Sequence, residues 1–300
     1  MLRLKILVLT CLFWGCAPAD NNSQSTHFPF DLSQPSTTFS LPASLNEISG
    51  IALVNNGYIA CIQDEKGIIF LYDTSNQKII SEIPFGKKND YEDIAIVGQD
   101  AFILESDGDL FQVTNFLGPE PEGIKYETDL SVDNDTEGLF YDEALDALLI
   151  ACKGQPGTKN HKSGKNFKTI YRFDLKSKLL QPAPYLSVNI SDIAELAHKN
   201  ALTRFSHEIG KLIPDHADNQ FKPSGLAKDP ISNHLFVMAH VGNKLAIFNT
   251  NQQLIEVHEL NPSVFGQPEG IFFDNSGNLY ISNEKNTGPA NILKFERRTN

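Results

Sequence analysis

Five short phrases place carboxylates at recurring positions along the chain. They are Glu47-Ile48-Ser49-Gly50-Ile51, Tyr91-Glu92-Asp93-Ile94, Thr136-Glu137-Gly138-Leu139, Pro223-Ser224-Gly225-Leu226 and Pro268-Glu269-Gly270-Ile271. In and just before them stand Glu47, Asp90, Glu92, Asp93, Asp135, Glu137 and Glu269, with Ser49 and Ser224 in the other two copies. Acids gathered at one point repel one another unless protons or a cation neutralise them. A hard cation with oxygen ligands is the economical answer, and calcium takes about six to eight oxygens in flexible geometry. Zinc is disfavoured, because no His/Cys pair shows metal-ligand spacing. The aligned glutamates Glu92, Glu137 and Glu269 are therefore the first candidates for metal or ligand binding. The plainer alternative is that acids and small residues here bond backbone amides of the next repeat and lock the fold; both readings stay open on sequence.

The intervals between phrases say what must position these side chains. Counted at the residue before the glycine (before Asp93 in the second copy), they are 43, 45, 87 and 45 residues. A period of about 40–50 residues with several strands per repeat marks a β-propeller, which brings the same position of every blade to one channel. The expected fold class is all-β, a five-bladed propeller over 37–300, with six blades as the alternative if the 87-residue interval conceals one. Strand-like runs follow each phrase, punctuated by turn pairs such as Asn56-Gly57 and Lys66-Gly67. Blade five has only three runs before the chain ends, and Thr37 to Leu41 can close the ring from the opposite terminus. The long interval reads as an oversized third blade plus a helical insertion within 189–221. There Asp192 can cap a helix, with Glu195 three residues on. The helical pattern runs from Asp192 to Ile213, and Ile193, Leu196, Ala197, Ala201, Phe205, Ile209 and Leu212 mark its face. Pro121-Glu122-Gly123-Ile124 copies the phrase but falls where an outer strand belongs.

In such a ring the second strands end at the same mouth where the phrases begin. Asp64, Glu65, Glu105, Asp107, Lys153, His240 and Glu284 stand at those ends, and Asp64, Glu105, His240 and Glu284 are the candidate ligand-contacting residues of the mouth. The basic, Gly-rich stretch 154–168 reads as a solvated loop. No Gly-x-Ser-x-Gly elbow, phosphate-cradling loop or metalloprotease helix occurs.

The first residues belong to a different function. Arg3 and Lys5 precede an apolar run from Ile6 to Trp14, and Gly15-Cys16 follows, which reads as a lipoprotein signal peptide over 1–15 with Cys16 lipidated. The run is too short to span a bilayer. Residues 16–36, rich in Asn, Ser, Gln, Thr and Pro, are expected to be a flexible tether. Losing Arg3 and Lys5 leaves 23 basic against 37 acidic residues, a formal charge of −14, compared with −12 for the whole chain. That balance excludes nucleic acid as a partner and leaves the lipid as the only membrane link. Cys61 and Cys152 are expected as free core thiols, and the domain as a monomer.

The order Pro-Ser-Gly-Leu-Ala at 223–227, Gln-Pro-Glu-Gly-Ile at 267–271 and Leu-Tyr-Ile-Ser-Asn-Glu at 279–284 resembles the SdiA-regulated, YjiK-like family of bacterial envelope proteins. The resemblance covers about 37–298. It implies a propeller similar to NHL-repeat proteins, a calcium site and no established reaction. Carried over residue by residue, that site falls on Glu92, Glu137 and Glu269, with Glu47 and Asp135 as second choices. The function this implies is a lipid-anchored, calcium-binding propeller of the bacterial envelope that binds a small molecule or protein. The alternative is a calcium-dependent hydrolase of a phosphoester or lactone, with a mouth carboxylate or His240 as base.

Overall fold

A computed structural model describes residues 28–55, 57–162, 164–205 and 220–298. Five antiparallel sheets form a five-bladed β-propeller. Blade one comprises Ile48–Asn55, Tyr58–Gln63, Lys66–Asp73 and Lys78–Pro84, and blade two Tyr91–Val97, Asp100–Glu105, Leu110–Thr114 and Glu122–Tyr126. Blade three has Thr136–Asp142, Ala147–Cys152 and Phe167–Asp174, and blade four Lys222–Lys228, Leu235–Val241, Lys244–Phe248 and Leu254–Glu259. Blade five has Pro268–Phe273, Leu279–Asn283 and Asn291–Phe295. Its outer strand is Thr37–Ser40, paired with Asn291–Lys294, so the two ends of the chain close the ring. Among the described residues, the interval between Glu137 and Ser224 holds no sixth blade. Blade three's outer edge is split instead into Leu179–Leu180 and Leu186–Asn189, each pairing a different part of Phe167–Asp174.

The strands form because apolar residues alternate between the two faces of each blade, and each face packs on a neighbouring blade. The result is five buried clusters. One joins blades one and two through Ala52, Ile62, Ile94 and Ile103. Another joins blades five and one through Ile51, Phe70, Phe272 and Ile292. Cys61 and Cys152 are free and buried in these seams. Burial pushes both thiols up, Cys152 to about 12, so neither is a reactive thiolate at neutral pH.

Two expectations need correction. The tether does not run to residue 36. Phe30 is buried in the cluster between blades four and five, edge-on to Phe236, and Phe28 stacks on His258. Arg298 donates its backbone N–H to Pro29 and pairs with Asp31 at 2.7 Å. Two phenylalanines within a polar stretch find aromatic partners on the ring, and this outweighs the local composition. Cys16 and the signal segment lie outside the described residues. The basic stretch is also not simply solvated: it carries a short hairpin, Gly157–Thr158 with His161–Lys162. Asn134 holds it through the carbonyls of Gln155 and Gly157.

The helix of the insertion spans Ile190–Phe205, starting before Asp192, with the Asn189 side chain accepting the Ser191 N–H at its entry. Ile193 and Ala197 are buried and Leu196 packs beside them, as the sequence pattern predicts. Asn200 donates to the carbonyl of Val257. The helix therefore covers the outer strand of blade four, a free sheet edge. The rest of the expected helix falls outside the described residues.

Candidate functional site

The phrase repeats because it encodes a β-bulge. In blade three the pairing steps from Thr136↔Cys152 to Gly138↔Ala151, leaving Glu137 unpaired. The same step leaves Glu92 unpaired in blade two and Ser224 in blade four. In blades one and five the shift falls between Ile48 and Ile51 and between Pro268 and Ile271. An extra residue in one strand re-aims its side chain. Around the ring the bulges thus present Ser49, Glu92, Glu137, Ser224 and Glu269.

The position after each bulge does the opposite work. A Cβ on Gly50 would lie 2.5 Å from the Asp93 Cα of blade two, and one on Gly225 would lie 2.6 Å from the Glu269 carbonyl of blade five. Glycine is needed because the next blade's backbone is that close. Blade two has Asp93 at this position. Its buried carboxylate accepts the Leu139 N–H of blade three at 2.7 Å and the Ile94 N–H at 2.8 Å. Burial pushes the Asp93 carboxyl up, and the two amides oppose that shift. Asp93 is thus the acid that locks the ring, while Glu92 beside it belongs to the mouth.

Backbone bonds fix the second-strand ends to the phrases. The Asp64 N–H donates to Glu47, Ser106 to Asp90, Lys153 to Asp135 and Glu284 to Gln267, at 2.8–3.3 Å. The equivalent mouth residues are therefore Asp64, Ser106, Lys153, His240 and Glu284. Glu105 stands one residue earlier and pairs with Tyr91, so it points to the other face. Its carboxylate is buried within blade two, where Lys125 Nζ lies 2.6 Å from it and 3.1 Å from Asp109. The expectation that Glu105 lines the mouth is corrected on that ground.

The remaining acids form two adjoining groups. In the first, Glu92 is pushed well above the usual carboxylate range by burial, then by Glu137 and Asp90, with Glu269 adding to it. Glu137 is also pushed up, because burial outweighs the Lys153 ammonium 2.5 Å from its Oε1, and Glu269 and Asp135 add to it. His240 Nδ1 lies 3.3 Å from Glu269 Oε1. Asp135, at φ 47°, adopts the left-handed conformation that Asp tolerates best after Gly and Asn. The second group is Glu47, Asp64 and Glu284. Burial pushes Glu284 up to about 8, and a hydrogen bond to the Glu47 carboxyl and the nearby charge of Glu269 add to it. Burial and Glu47 raise Asp64, whose Oδ1 is buried with no hydrogen-bond partner.

This arrangement can hold a hard cation or a protonated group. All donors are oxygens except His240 and Lys153, which fits calcium better than a soft metal. Among the described residues, the only trio of acids or histidines with ligand atoms all within 4.8 Å of one another is Glu105, Asp107 and Asp109. Lys125 already neutralises two of its members. Closing Glu92, Glu137 and Glu269 on one ion would require side-chain movement. Lys153 stands at the mouth without a role assigned to it by the sequence; its signal is that it is the lone lysine among five equivalent second-strand ends, the others being Asp64, Ser106, His240 and Glu284.

The channel becomes apolar away from the acids. A cavity of about 150 Å³ opens at its other end, lined by Ile51, Ile94, Leu139, Leu226 and Ile271 among others. A larger cavity, about 650 Å³, lies between Phe28, Phe30, His258 and Pro262, and none of the mouth residues lines it. Size alone does not mark the candidate site here; convergent perturbed acids do.

No protein-family profile and no curated protein matches the chain. Solved structures do. Glutaminyl cyclase from Myxococcus xanthus aligns with a TM-score of 0.55 at 11% identity, covering 88% of this chain and 95% of that one. A protein of unknown function from Bacteroides thetaiotaomicron aligns at 0.47 and 14%, covering 82% of this chain and 53% of that one, so the chain spans about half its length. A catalytically inactive virginiamycin B lyase from Staphylococcus aureus, solved with quinupristin, aligns at 0.44 and 16%, covering 85% and 68%. At such identities the likeness concerns the fold: the chain is similar to β-propeller proteins of varied function.

Proposed function

We propose that the chain is a binding propeller whose acidic mouth takes a divalent cation, calcium by donor chemistry, and through it a small-molecule or protein ligand. The observation that carries this is the placement of Glu92 and Glu137 on equivalent bulges, both raised by burial, Glu92 also by Glu137, and with Glu269 adding to each. Glu92, Glu137 and Glu269 would hold the ion, with Glu47 and Asp135 next to them. A bound cation would supply the positive charge that the buried carboxylates lack. The signal segment, Cys16 and the resemblance to the YjiK-like family support a lipid-anchored protein of the bacterial envelope. Cys16→Ser is expected to release it from the detergent phase on fractionation.

The test is thermal unfolding in calcium against chelator. An ion that binds only the native ring stabilises it by about 2.7 kcal/mol at a hundred times its dissociation constant. The midpoint is expected to rise with calcium in the wild type and not in a Glu92→Gln/Glu137→Gln variant. Equal midpoints with and without calcium in the wild type would remove the metal reading.

His240 supports a second reading, a calcium-dependent hydrolase of phosphoesters or lactones. A carboxylate held against Nδ1 leaves Nε2 to accept a proton, the arrangement of a general base. Turnover in a phosphoester and lactone screen, lost in His240→Gln, would establish it; no turnover above that control would dismiss it.

A further inference from the structure

We infer that Lys153 is a specificity-determining residue of the mouth: its ammonium occupies the cation position on Glu137, so that only an ion of higher charge displaces it. The inference rests on the cation reading above. Lys153 Nζ lies 2.5 Å from Glu137 Oε1, with the lysine side chain 30% exposed and the glutamate 9%. Its backbone is anchored by the bond from its N–H to the Asp135 carbonyl at 2.8 Å, so the ammonium returns to the same carboxylate whenever it is free to do so. Asp135 and Glu269 also attract it. The equivalent positions of the other blades hold Asp64, Ser106, His240 and Glu284, so this built-in cation is confined to one blade.

The consequence follows from charge. A monovalent ion replacing the ammonium gains about the same attraction from the carboxylates and must lose its own water. A divalent ion roughly doubles the attraction at the same distance. The lysine also has somewhere to go. Its side chain is partly exposed, and a long flexible stem lets the head swing into water. The neighbouring Lys168 differs: it is buried, its Nζ donates to the carbonyls of Lys153 and Gly154, and it holds the backbone that carries Lys153. Lys153 thus acts on the ion directly, and Lys168 only holds the strand end.

The experiment is titration of the full domain with calcium chloride, and separately with potassium chloride at ionic strength matched by choline chloride. Calorimetry and thermal unfolding are the readouts. Wild type, Lys153→Met and Lys153→Arg are compared. Lys153→Met is expected to bind calcium tighter by on the order of tenfold or more, and to gain a potassium response absent from the wild type. Lys153→Arg, which keeps the charge, is expected to retain the wild-type threshold. Circular dichroism in chelator checks that each variant is folded, and Lys153→Gln, which also removes the charge, supports the same comparison if Lys153→Met is not. Calcium affinity in Lys153→Met equal to or weaker than wild type, with wild-type binding intact, would overturn this inference and leave the cation reading standing. Calcium binding in Lys153→Met but not in wild type would uphold the lysine's role and overturn the reading of the native protein as a calcium binder. No binding in any variant would overturn both.

Discussion

Two neighbouring positions of one repeated phrase do opposite jobs. Ser49, Glu92, Glu137, Ser224 and Glu269 are turned out of the ladder by a bulge. Gly50, Asp93, Gly138, Gly225 and Gly270, one residue on, face the next blade. Of the two alternatives for the acids, the geometry bears out the ring lock at Asp93, whereas Glu92 beside it leaves the seam and faces its counterparts across the mouth. Charge alone does not separate them. What separates them is which side of the backbone each leaves, and whether a backbone amide waits there. Asp93 meets two N–H groups, whereas Glu92 meets other acids and the Lys153 charge.

Substitutions at the two positions should behave differently, and the lock should give the larger effects. Gly50→Ala places a Cβ against the Asp93 backbone, and overpacking of this kind is expected to cost about 3 kcal/mol in denaturant unfolding. An unchanged midpoint would show that the seam has slack. Asp93→Ala strands the buried Leu139 and Ile94 amides and is expected to cost about 2 kcal/mol, with Asp93→Asn recovering part of it. If Asp93→Ala instead stabilises, the buried carboxylate is a burden and the comparison fails at this seam.

Mouth substitutions should move stability the other way. Glu92→Gln removes a carboxyl that burial and neighbouring acids keep from ionising in the folded ring but that ionises freely in the unfolded chain, and the midpoint at pH 8 is expected to rise by a few degrees. A lower midpoint would place Glu92 with the locking residues. The pH dependence has the same origin. Glu137 and Glu284 are raised from 4.5 to about 8 in the folded ring. Between these values the native state holds more protons than the unfolded chain, so their contribution is complete below 4.5 and is lost as pH rises through 8. The melting midpoint in chelator is expected to fall from pH 5.5 to 8.5, and calcium to flatten that slope. The smallest effect belongs to Glu105→Gln: it weakens the Lys125 contact within blade two, yet calcium affinity should not change. A changed affinity would return Glu105 to the mouth.

Much of the ring was legible from the chain because repetition is a property of residue order. The phrase interval marks the blades, the three-strand blade five implies closure by Thr37 to Leu41, and Ile193 and Ala197 lie on the helix face their spacing predicts. Glu105 falls on the side away from the mouth because a strand's facing alternates with every residue and Glu105 is the register partner of Tyr91. The tether was drawn too long because polar composition does not reveal that Phe28 and Phe30 have aromatic partners some 200 residues away.

From residue order alone come the repeat, a count of five blades or six, the closing strand and the concentration of acids at one end of the channel; the folded ring settles the count at five. These depend on local pattern and on identical units stacking in one way. Only the folded ring decides that Asp93 belongs to a seam, that the Glu284 carboxyl meets that of Glu47, and that Lys153 covers Glu137. Each of those depends on a contact between different blades, where a shift of one residue or a few ångströms changes a carboxylate's partner from an amide to an acid or an ammonium, and no local pattern records that distance.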